Sequence, residues 1–148
     1  TSEIFNISIY RHLQKCLYKG LCPKLSTNNI YIMAIFVHVR SPQKLLDDMK
    51  SLISIGEIQE WTIDDDGDFT LSDERLKNEA WFHPYLLSDD VLIFGIIGRK
   101  NVKMSMSLYS AYHGEFIKTL LNNYNGQLDR VSVVPPFSND FDTKKIEK

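Results

Sequence analysis

The stretch from Val91 to Val134 constrains the fold most, because the spacing of its apolar residues changes period three times. Val91-Leu-Ile-Phe-Gly-Ile-Ile97 is a continuous apolar run, the pattern of a strand buried on both faces. Val102-Lys-Met-Ser-Met-Ser107 alternates apolar with polar and predicts a second strand, joined to the first through Gly98-Arg-Lys-Asn101. From Leu108 to Tyr124 the spacing becomes helical, with Tyr109, Tyr112, His113, Phe116, Ile117, Leu120, Leu121 and Tyr124 on one stripe. Gly114 lies inside that stretch at a cost of ~1 kcal/mol relative to alanine, which predicts a close neighbour at that point. Leu128, Val131 and Val133 then return to strand spacing.

Upstream, Ile9, Tyr10, Leu13, Cys16 and Leu17 share a helical face that Gly20 ends. Ile30 to Val39 is short and β-branched, as in a buried strand. Ser41-Pro42 opens a helix: the serine can cap free N–H groups, and the proline has no N–H to lose at the first position. Leu45, Leu46, Met49, Leu52 and Ile53 follow on one face until Gly56, placing a helix over 42–55. Ile58 to Ile63 and Phe69 to Leu71 flank Asp66-Gly67, which predicts a hairpin with a type I′ turn. Trp81 to Leu87 surrounds Pro84, which confines any strand there to an edge or an end. Short connections make neighbours antiparallel. The expectation is a single α+β domain over residues 1–148, with a twisted antiparallel meander packed on one face by about three helices. Residues 138–148 read as a frayed polar tail.

The 148 residues fit one domain of ordinary size, and 43% hydrophobic with 24% charged residues is usual for a globular chain. Cys16 and Cys22 are too few for a disulfide scaffold. No apolar run reaches the ~20 residues that span a bilayer, and the start has neither a basic n-region nor a small-residue cleavage site. A cytoplasmic protein without a membrane role is expected. The net charge of −2 is unevenly spread. Between Glu57 and Asp90 eleven acids stand against Arg75 and Lys77, so that segment carries −9 and the remainder +7. Such a segment repels phosphate and attracts basic surfaces, which argues against a nucleic-acid binder.

Several candidate chemistries can be weighed. Asp64-Asp-Asp-Gly-Asp68 invites a calcium loop with Thr62, Asp64, Asp66 and Asp73 as ligands. Its first ligand is not a carboxylate, its last is not the bidentate glutamate, and its flanks read as strands, so a hairpin explains the run better and no metal is expected. His113 and Glu115 could serve a hydrolase or ribonuclease, yet residues two apart on a helix face different ways. There is no G-x-S-x-G, Walker A, G-x-G-x-x-G or H-E-x-x-H pattern, so neither catalytic residues nor a cofactor are expected. A third possibility is a structural or regulatory subunit that dimerises through the edge strand near Pro84.

Leu108-Tyr-Ser-Ala-Tyr-His-Gly-Glu-Phe-Ile-Lys-Thr-Leu-Leu121 resembles the late helix of small immunity proteins of bacterial polymorphic toxin and contact-dependent inhibition systems. Val39-Arg-Ser-Pro42, Ile55-Gly-Glu-Ile-Gln-Glu-Trp61 and Trp81-Phe-His-Pro-Tyr85 extend the similarity over residues 36–125. The resemblance implies a non-enzymatic cytoplasmic protein that binds and neutralises a cognate toxin domain. Many such toxins are nucleases with a basic groove, and an acidic lobe would find that groove through long-range attraction. The expected partner face is Asp64, Asp65, Asp66 and Asp68, with Trp61 as an aromatic anchor.

Overall fold

The computed structural model describes residues 34–133, all within one compact unit. The helix expected around Ile9–Leu17, both cysteines and the tail 138–148 lie outside the described residues. The elements run β1 (Ala34–Val39), α1 (Pro42–Ser54), β2 (Trp61–Ile63), β3 (Phe69–Leu71), β4 (Ala80–Ser88), β5 (Val91–Gly98), α2 (Met106–Tyr124) and β6 (Leu128–Val133). The fold is α+β: the strands form one antiparallel sheet in the order β2-β3-β4-β5-β1-β6, accompanied by two helices among the described residues. Strands β2 to β5 make the expected meander. Strand β1 then departs from it by inserting between β5 and β6.

That insertion explains the largest error of the sequence reading. Val102–Ser107 is not a strand. Both edges of β5 are already occupied, by β4 and by β1, so a strand following it has no neighbour to pair with. Ser105 instead caps α2, its hydroxyl accepting from the Leu108 N–H at 3.1 Å, and the helix begins two residues earlier than its stripe indicated. Helix α1 starts at Pro42 as expected, but Ser41 contributes only its backbone carbonyl, which accepts from Leu45 N–H at 3.0 Å. Gly56, at φ +79°, turns the chain out of α1 while Glu57 N–H reaches back to Leu52 O at 2.9 Å.

Both helices pack on the same sheet face. Ile35 and Val37 of β1, Leu92, Phe94 and Ile96 of β5, Phe82 of β4 and Phe69 of β3 meet Leu45 and Met49 of α1 and Tyr112, Phe116 and Leu120 of α2. Phe116 sits at the centre, with ring centroids 4.4 Å from Phe94, 4.9 Å from Phe82 and 5.1 Å from Trp61. Truncating such a residue to alanine costs ~3–5 kcal/mol. The Tyr124 hydroxyl donates to Asp48 at 2.9 Å and ties the end of α2 to α1. The other side of the central strands carries Phe36, Trp81 and Ile93, which are buried as well. The continuous apolar run of β5 therefore belongs to a strand whose side chains are buried on both faces.

Candidate functional site: an acidic hairpin beside a histidine–aspartate pair

The β2–β3 hairpin closes through Asp64, whose N–H donates to Asp68 O at 3.0 Å and whose carbonyl accepts from Gly67 N–H at 2.9 Å. Asp64 Oδ1 also accepts from the N–H groups of Asp66 and Asp68, each at 3.0 Å. Gly67 has φ +82° whereas Asp66 stays out of the positive-φ region, so the loop is a three-residue turn ending in a left-handed glycine, not type I′. The runs of aspartate arise from this geometry as much as from solvation: Asp64 organises the loop backbone and leaves Asp65 and Asp66 exposed. Lys50 of α1 brings its Nζ within 3.8 Å of where a Gly67 Cβ would lie, so one cation attends the loop.

Asp68 differs from its neighbours. It is 3% exposed, and its Oδ1 is hydrogen-bonded to His83 Nδ1. The sheet register explains the meeting: Phe69 lies opposite Phe82, which places the preceding residue of β3 next to the following residue of β4. That hydrogen bond orients the half-buried imidazole through Nδ1. Tyr85 lies edge-on to that imidazole at 4.7 Å, with its ring over Gly95, where an added Cβ would come within 3.2 Å of it. Burial, and then the Asp68 carboxylate, raises the Tyr85 pKa above its ordinary value.

The remaining expected groups are placed elsewhere. Trp61 is 1% exposed and locked under α2, so it is a core residue and not a surface anchor. His113 is buried against Phe82 and stacked on Tyr109 at 3.8 Å, with Nδ1–H donating to Tyr109 O at 2.9 Å. Its pKa is lowered to about 4 by burial, and its Nε2 has no hydrogen-bond partner. Glu115 pairs with Lys118 at 3.4 Å, so His113 and Glu115 do not form a joint site. Asp73 is engaged by Arg75, and the Thr62 hydroxyl donates to Thr70 O, so the four ligands of the calcium reading are not assembled. The carboxylates that do approach one another are Asp64, Asp66 and Asp68, with oxygens within 4.8 Å. They are the group that could share a cation, though His83 already occupies Asp68 and proximity of acids is all that marks the spot.

Of the eleven acids between Glu57 and Asp90, Asp68 alone is buried. The β2–β3 loop and the β4–β5 turn, with Asp89 and Asp90 exposed, lie at the same end of the sheet because each joins strands running the same way around the meander. The opposite end holds Asp73, Glu74 and Glu79, the last paired with Arg99 at 3.3 Å. No helix among the described residues is long and apolar enough to cross a membrane. No family model matches this chain, and neither a curated protein nor a solved structure shows significant similarity to it.

Proposed function

We propose that the chain is a non-enzymatic protein-binding module, a cytoplasmic immunity protein that holds a basic toxin domain through its acidic hairpin. The observation that carries this reading is the division of labour among the aspartates. Asp64 and Asp68 hold the turn and the neighbouring strand together, while Asp65 and Asp66 are exposed on the loop that Asp64 organises. Preorganised surface carboxylates accelerate encounter with a cationic groove and lower the cost of ordering on binding. The partner face is thus Asp65 and Asp66, framed by Asp64. The test is capture of a toxin domain by the chain in a pull-down from its native cell, followed by association kinetics with that domain. Reversing Asp65 and Asp66 to lysine should slow association by about tenfold at low salt and flatten its salt dependence. Unchanged, salt-independent association sinks the electrostatic part.

A second reading, a small hydrolase or ribonuclease, draws support from Asp68 and His83 in place of His113 and Glu115. A buried carboxylate that orients a half-buried imidazole is an arrangement used for proton transfer. An activity abolished by His83→Gln, with the fold intact, would favour it over the binding reading.

A further inference from the structure

The hairpin β2–β3 is much shorter than the strand beside it. Strand β3 pairs with β4 at Phe69–Phe82 and stops, whereas β4 continues along β5 to Ser88. Among the described residues no strand lies against the outer side of β4 from His83 to Ser88. Pro84 falls within this segment, and proline is tolerated in a strand where it lies at an edge. Tyr85 and Leu86 are 45% and 50% exposed there, an aromatic and an aliphatic side chain on opposite faces of an edge that is unpaired among the described residues.

Carboxylates stand at both ends of this edge. The Asp64–Asp68 loop adjoins it at His83, and Asp89 and Asp90 follow it directly. Lys50 lies near Gly67 of the loop, and Arg130 is directed to His38 Nε2 at 3.2 Å. We propose that the open edge of β4 receives an extended, basic segment of the protein partner as an added strand. Main-chain hydrogen bonds would run along Tyr85 to Ser88, Leu86 and Tyr85 would pack on alternate side chains, and lysines or arginines of the segment would meet the two acidic flanks. Charge decides between this occupant and a second copy of the chain. A two-fold pairing of β4 with itself would set the Asp64–Asp68 loop of one copy beside Asp89 and Asp90 of the other, so like charges oppose it. The inference rests on the protein-binding reading and adds the mode of binding to it.

The test uses the full chain, isotopically labelled, with a peptide of about seven alternating lysines and valines, enough at ~3.3 Å per residue to cover the edge. The expected result is saturable shifts of the amides from Tyr85 to Ser88. Binding should weaken about tenfold when the peptide's central valine is proline, when its lysines are glutamates, or when the chain carries Asp65→Lys with Asp89→Lys. Shifts absent from Tyr85–Ser88, or equal affinity for the proline peptide, overturn strand addition. So does a dimer in sedimentation that Leu86→Arg dissociates. If the Asp65 and Asp66 reversals weaken toxin binding while the peptide leaves the edge untouched, strand addition falls and the binding reading stands. If the peptide adds to the edge and no toxin domain binds, the binding reading falls and the edge site stands.

Discussion

The indole N–H of Trp61 donates to the Thr119 hydroxyl at 2.9 Å, and that hydroxyl donates in turn to Glu115 O at 2.9 Å. A three-residue strand is thereby tied to the middle of α2 by a buried polar bond. Thr119→Val keeps the shape of the site and strands the indole N–H, which should cost ~1–3 kcal/mol. Adding Trp61→Phe to that variant should cost less than the two single changes combined, because the unpaired donor is then gone. Urea unfolding of the three variants measures both quantities. Additive losses would show that the bond does not couple β2 to α2.

A second polar chain fixes the connection from β3 to β4. Asn78 N–H donates to Thr70 Oγ1 at 2.9 Å, the Thr70 hydroxyl donates to Tyr112 Oη at 3.0 Å, and Tyr112 donates to Leu76 O at 2.6 Å. Asn78 itself has φ +61°. Each hydroxyl both gives and receives, so the links polarise one another. Tyr112→Phe breaks the chain in the middle and should lose ~1–3 kcal/mol. Hydrogen exchange at Asn78 and Lys77 should quicken more than exchange in β5, and uniform quickening would count against a local role.

The elements with strong local signals were legible in the sequence. Ser41-Pro42 and Gly56 bracketed α1 to within a residue, and the stripe from Tyr109 to Tyr124 marked the buried face of α2 except at Leu121, which is exposed, and Thr119, which is buried outside it. Pro84 pointed to an edge; β4 lies inside the sheet order, and among the described residues its outer side is unpaired beyond Phe82. What the sequence hid depends on strand order. Val102–Ser107 has a strand's alternation, and only the insertion of β1 beside β5 denies it a partner. Asp68 meets His83 because Phe69 lies opposite Phe82, a register that no local pattern in either strand specifies. Trp61 resembled a surface anchor because acids surround it in the chain, yet strand alternation turns it inward, away from the loop they form.

Two glycines should respond oppositely to alanine. Gly114 was expected to receive a close neighbour, but a Cβ there meets nothing within 4 Å and the residue is exposed on α2. Gly114→Ala should therefore stabilise by ~0.5–1 kcal/mol through the unfolded state. Gly67 holds φ +82° in the hairpin, and Gly67→Ala should destabilise by about 1 kcal/mol. Thermal midpoints of the two variants should move in opposite directions. A lower midpoint for Gly114→Ala would mean that this face of α2 is covered.

His113 ties stability to pH. Burial holds its pKa at about 4 in the folded chain, below the ordinary 6.5 expected when unfolded. Between those values the unfolded chain binds a proton that the folded chain refuses. Stability contributed by the neutral ring is fully present above pH ~6.5 and is lost as pH falls toward ~4, with a magnitude on the order of 3 kcal/mol. Below pH ~4 both states are protonated and the dependence on this residue levels off. His113→Phe preserves a flat ring against Tyr109 and Phe82 and removes both the titration and the unpaired Nε2. It also gives up the bond to Tyr109 O, so at neutral pH the variant should lie within ~1 kcal/mol of the parent. Urea midpoints between pH ~7 and ~4.5 should then fall steeply for the parent and much less for the variant. Parallel curves would assign the acid sensitivity to another group.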